Sequence, residues 1–192
     1  MPQNSRFEYR SGDRPAEQVT LHFLTTQRNF VQSVESVLRE GSASTVIDLE
    51  ITESSVMDNV EENLSKLIAI HEMGVDIAID GFGTGQSSLA YLTRLPVKAL
   101  KIDHSFVVAF LTDRHIMTMV STIISLAHSL RLTVITEGVD TEEQAKTLHL
   151  LRCDQMQGSL SGNPLPKAEL QALLQAAAGT IEGQRNRSPG TP

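Results

Sequence analysis

The chain has 192 residues, is 40% hydrophobic and 20% charged, and carries no Trp and only 4% aromatics, so it is read as one globular domain with an aliphatic core of Leu, Ile, Val, Ala and Met. A net charge of −7 argues against a DNA or RNA surface, because neutralising phosphates takes clustered Lys and Arg. The lone Cys153 cannot form an internal disulfide, no apolar run approaches membrane-spanning length, and the opening MPQNSRFEYRSGDR lacks an apolar signal core, which together point to a cytoplasmic protein without a membrane span.

Taken in order, residues 1–17 are polar and broken by Pro2, Gly12 and Pro15 and read as loosely held. The main domain is expected over 18–178, and the Gly- and Pro-rich tail 179–192 reads as disordered. Inside the domain, short apolar runs predict strands at 19–23, 45–51, 75–80, 99–103 and 132–137, with a weaker one at 154–158. Between them, helical patterns predict helices at 30–39, 60–73, 87–93, 114–130, 141–150 and 167–177. The fourth is the clearest, with Ile116, Met119, Val120, Ile123, Ile124, Ala127 and Leu130 recurring at steps of three and four. Thr141-Glu142-Glu143 is a good helix start, with acids in the first turn.

Alternating strands and helices mean a parallel sheet covered by helices, either open and doubly wound or closed as a barrel. The glycines of Gly81-Phe82-Gly83-Thr84-Gly85 have the wrong spacing for a dinucleotide fingerprint, and the stretch lacks the Lys of a phosphate-binding P-loop. Glu50, Asp80, Lys101 with Asp103, Glu137 and Gln157 each lie at or near the C-terminal end of a different predicted strand. In a β/α barrel those ends converge on one mouth, and several acids with one Lys there suggest a divalent cation with oxygen ligands. Any one such acid is more often a helix cap or a solvated loop residue. Five successive strands ending in polar groups are harder to explain that way.

LEITES (49–54), IDGFGTGQSSL (79–89), LKIDHSFV (100–107), VITEGVDT (134–141) and QGSLSGNPLP (157–166) stand in an order and at spacings that resemble the EAL-domain family. That family comprises bacterial phosphodiesterases that linearise cyclic di-GMP on a modified TIM barrel. The resemblance covers about residues 19–170. It implies an α/β fold, an incomplete TIM-type barrel of about six parallel strands with covering helices, corresponding to the family's third to eighth strands. It also implies roles. Glu50, Asp80 and Glu137 match metal ligands for Mg²⁺ or Mn²⁺, and Glu137 also matches a proposed base. Lys101 matches the lysine that places and polarises the attacking water. Glu53 matches an acid that holds the loop after the family's fifth strand. Gln157, with Asp103, lies at the substrate-binding mouth. In such a site the metals neutralise charge developing on the phosphodiester during in-line attack.

The sequence also departs from the family. No Glu-Ala-Leu stretch occurs, and the chain begins near the family's third strand. The family's Asn ligand aligns with His22, the second Asp of its metal pair is Gly81, and Ser159, Ser161 and Asn163 stand where aromatic and basic residues are usual. Losing one key charged group commonly costs orders of magnitude in rate. The expectation is therefore an EAL-domain protein of bacterial cyclic di-GMP signalling, catalytically impaired, with weakened metal binding, acting as a degenerate nucleotide sensor or a protein-interaction regulator. The alternative is an active metal-dependent phosphodiesterase yielding linear pGpG. Exposed sheet edges at 19–23 and 154–158 would favour a protein partner or a homo-oligomer.

Overall fold

In the computed structural model, which describes residues 5–8, 16–20, 29–40, 46–57, 59–85 and 89–160, seven strands form one sheet in chain order. The strands are β1 (Ser5–Glu8), β2 (Ala16–Thr20), β3 (Val46–Thr52), β4 (Asp76–Phe82), β5 (Ala99–Ile102), β6 (Thr133–Glu137) and β7 (Gln155–Gln157). From β2 to β7 all neighbours are parallel, which gives the six parallel strands expected, in a sheet that does not close among the described residues. The helices are α1 (Phe30–Glu40), α2 (Glu53–Met57), α3 (Val60–Glu72), α4 (Leu89–Leu92), α5 (His104–Ala109), α6 (Arg114–Ser129) and α7 (Glu142–Leu150).

Four elements differ from the reading of the sequence. The stretch taken as loosely held contains β1, which pairs antiparallel with β2, so the first of the two expected open edges is covered. Strand pairing is satisfied by backbone groups, and a polar segment can therefore join an edge without an apolar signature. The first parallel strand runs over Ala16–Thr20 rather than 19–23. The short helices α2 and α5 were not foreseen, because five or six residues are too few for a helical period to stand out. His22, Ser161, Asn163, the helix expected at 167–177 and the tail 179–192 lie outside the described residues.

The period-two alternation of strands sorts their side chains to two faces. Leu49, Ile51, Ile77, Ile79, Leu100, Ile102 and Val134 lie in the main core, with Leu67 and Ile70 of α3 and Val120, Ile123, Ile124 and Ala127 of α6. Each fully buried Leu, Ile or Val among these contributes about 1.5–3 kcal/mol. The other face carries a small apolar layer of Ala78, Ala99 and Ile135, and two residues further along the same strands come Asp80, Lys101 and Glu137.

Helix ends explain the boundaries. Asp113 caps α6 by accepting the N–H groups of His115 and Ile116, and Thr141 with Gln144 forms a reciprocal capping box on α7. Both helices stop in left-handed residues, Arg131 at φ 61° and Arg152 at φ 64°. In each, the next N–H returns to the helix, Leu132 to the Ala127 carbonyl and Cys153 to the Leu148 carbonyl, at 2.8 and 3.0 Å. Among the described residues no helix is long and apolar enough to cross a membrane.

Candidate functional site

Three parallel strands bring together the charged centre. Lys101 on β5 is 1% exposed, and its Nζ lies 2.5 Å from Glu50 Oε1 on β3 and 2.5 Å from Glu137 Oε1 on β6. A buried ammonium needs this company, since an isolated charge in the interior would lose several kcal/mol of hydration with nothing to offset it. Glu50 is equally inaccessible, while Glu137 keeps a partly open side chain.

Asp80 sits on β4, between the strands of Glu50 and Lys101, and the backbone there is irregular. Ile79 pairs with Leu100, but the next registered pair is Phe82 with Ile102, so Asp80 and Gly81 together oppose Lys101. This is a β-bulge, and Gly81 takes the extra residue at φ +68°. The bulge also returns Phe82 to the helix-covered core, where it is 4% exposed. Gln157 pairs in register with Glu137 as the last step of the β6–β7 ladder. Its Oε1 is buried with no hydrogen-bond partner among the described residues.

Glu53, the first residue of α2, is buried, and its Oε2 accepts the Gly83 N–H at 2.8 Å. The carboxylate also crowds Gly85, where an added Cβ would lie 2.8 Å from Oε1. Thr84 closes the turn by donating its hydroxyl to the Gly81 carbonyl at 2.9 Å. Asp103 is engaged in another way: it caps α5, with its carboxylate accepting the Ser105 N–H at 2.9 Å. The residues expected at the mouth thus divide. Glu50, Lys101 and Glu137 meet directly, Asp80 occupies the strand end between Glu50 and Lys101, Gln157 occupies the strand end beside Glu137, Glu53 holds the glycine turn, and Asp103 serves its own helix.

Sequence reading missed Asp140. Its Oδ1 accepts both the hydroxyl of Ser159, at 2.6 Å, and the Ser159 N–H, at 3.1 Å. These two bonds, the hydroxyl first, hold its carboxyl below the ordinary carboxylate value, with His104 adding a smaller pull in the same direction. Its position three residues after Glu137 was the available signal.

The donor set suits a hard divalent cation by chemistry, with the carboxylates of Glu50, Asp80 and Glu137 and the bare amide oxygen of Gln157 all supplying oxygen. Among the described residues, no three such ligands stand close enough to enclose a metal ion as placed. Lys101 lies between two of them, and cation entry would require its ammonium to yield at least one carboxylate.

The sequence matches the EAL domain family over residues 13–164. It is 40% identical over 149 residues to the cyclic di-GMP phosphodiesterase NbdA of Pseudomonas aeruginosa, an alignment covering 77% of this chain and 19% of that protein. The chain thus spans about a fifth of the length of the curated relatives it matches first. Among solved structures, the PaMucR phosphodiesterase in complex with c-di-GMP superposes with a TM-score of 0.75 at 39% identity, covering 80% of this chain and 63% of that one. A manganese and cyclic di-GMP complex of Klebsiella pneumoniae BlrP1 gives 0.67 at 26% identity, covering 77% and 39%.

Proposed function

Because this chain belongs to the EAL-domain family, we propose that it serves cyclic di-GMP signalling as a nucleotide-binding domain whose hydrolytic step is impaired. One observation carries this reading. The bulge presents two consecutive residues opposite Lys101, and the second of them, Gly81, offers no carboxylate. A site that divides charge neutralisation between two cations needs acids to hold both.

Glu50, Asp80 and Glu137 are the residues that would hold one Mg²⁺ or Mn²⁺. When bound, such a cation supplies charge neutralisation and makes a water more acidic. Lys101 brings a fixed positive charge to the same mouth, where it would attract a phosphate oxygen and orient the attacking water. Glu137, the more open of its two partners, would accept that water's proton. Gln157 offers a neutral oxygen to a donor on the nucleotide or to the cation.

The test is direct. The purified chain with cyclic di-GMP and Mn²⁺ is followed by calorimetry for binding and by chromatography for linear pGpG. Binding with little or no pGpG is expected. Turnover as fast as that of a Gly81→Asp variant would overturn impairment, and absence of binding would overturn the nucleotide role. A protein partner or second copy is the other reading, favoured by the outer edge of β7, which pairs with no further strand among the described residues. Light scattering showing a monomer at working concentration would count against the second copy.

A further inference from the structure

Strand β7 is only three residues long, so its own ladder fixes its position weakly. Beyond the last registered pair, Glu137 with Gln157, the two chains stay joined. Val139 N–H donates to the Gln157 carbonyl at 2.9 Å, and Leu160 N–H donates to the Val139 carbonyl at 3.2 Å. The approach is so close that a Cβ on Gly158 would fall 2.2 Å from the Val139 oxygen. Asp140 closes this bridge through its two bonds to Ser159. It is itself anchored, since its N–H donates to Gln144 Oε1 at 2.9 Å and Gln144 Nε2 donates to the buried Val107 carbonyl of α5 at 3.1 Å. One chain of bonds therefore runs from the helix after Lys101, through the turn after Glu137, to the exit after Gln157.

We propose that Asp140 is a positioning residue for the strand-end site: by clipping Ser159 to the β6–α7 turn, it holds the short strand β7 in place and sets Gln157 beside Glu137. A clasp with a purely structural purpose could sit anywhere along the loops. This one joins Asp140, three residues after Glu137, to Ser159, two residues after Gln157, at the end of the strand with the least support of its own. The inference rests on the proposed function only for what Gln157 and Glu137 do, not for how they are held.

The experiment compares the full chain with Asp140→Ala, Ser159→Ala and Asp140→Asn, reading the Gln157 side-chain amide resonance, the exchange rate of the Val139 N–H and cyclic di-GMP affinity in Mg²⁺. Asp140→Ala and Ser159→Ala are expected to move the Gln157 resonance, speed Val139 exchange and weaken binding roughly tenfold, the usual effect of losing an outer support. Asp140→Asn keeps an oxygen that can accept the same two bonds and is expected to retain all three properties. Should Asp140→Ala fail to fold, Ser159→Ala carries the test alone. An unmoved Gln157 resonance with unchanged Val139 exchange overturns the proposal. If the parent chain binds no nucleotide, the functional reading fails, and the two spectroscopic readouts still decide the positioning role.

Discussion

Glu53 and Gly83 are 30 residues apart in sequence and joined by a 2.8 Å hydrogen bond, from the glycine N–H to a buried carboxylate. This bond spans from the residue after β3 to the turn after the β4 bulge, so the turn carrying Gly81 is held from a neighbouring strand end. Glu53→Ala is expected to cost about 1.5–3 kcal/mol, the range for a hydrogen bond to a charged group. It should also speed amide exchange at Gly83. Gly85→Ala should loosen the same turn, because its Cβ would meet Glu53 Oε1 at 2.8 Å. Denaturant titration with exchange measurements checks both.

Gly81→Asp is expected to fold. The position has open space, with Thr84 Oγ1 the nearest neighbour of a Cβ at 3.8 Å, and Asp tolerates left-handed backbone better than most residues. The cost should be about 1 kcal/mol. The gain should be tighter Mn²⁺ binding and more pGpG, measured by calorimetry and chromatography. A folded variant with neither gain removes the reason for assigning impairment to this residue.

Lys101→Met should be among the most damaging single changes. It leaves Glu50 buried, and Glu137 beside it, with no cation between them. Breaking a buried pair this way costs about 3–5 kcal/mol. The triple change Lys101→Met, Glu50→Gln, Glu137→Gln also removes the two carboxylate charges and should recover part of that loss in thermal melts.

Arg131→Gly and Arg152→Gly should each stabilise the chain. Both residues end a helix at positive φ, where glycine avoids a penalty of roughly 1 kcal/mol. A raised denaturation midpoint in each variant, additive in the pair, is the expected result.

The Asp140–Ser159 clip should depend on pH in one direction. The folded carboxyl titrates below its ordinary 3.8, so the clip's contribution is complete above about pH 4 and is lost as pH falls through the folded value. A carbon-detected titration should place Asp140 below 3.8 in the parent chain and move it upward in Ser159→Ala.

Much of this was legible in the sequence, for identifiable reasons. The strands were visible because Leu49, Ile51, Ile77, Ile79, Leu100 and Ile102 form strong apolar runs, and their polar ends gave Glu50, Lys101 and Glu137 before any geometry was known. What stayed hidden depends on the path of the backbone. The bulge at Asp80 and Gly81 leaves no compositional mark, and it makes Gly81 the partner of Asp80 opposite Lys101 rather than a spacer. Asp103 looked like a site residue because a helix cap and a ligand draw on the same carboxylate chemistry. Asp140 was missed because its partner, Ser159, lies 19 positions away and on another strand's exit.

The bulge glycine has one further implication. Side-chain space at residue 81 is open, and its carbonyl already closes the turn by accepting from Thr84, so a carboxylate there would burden the fold only through the positive φ. Glycine and aspartate codons can differ by a single base. Under the proposed reading, the acid that a second cation would need lies one nucleotide away, and acquiring it would cost the backbone about 1 kcal/mol.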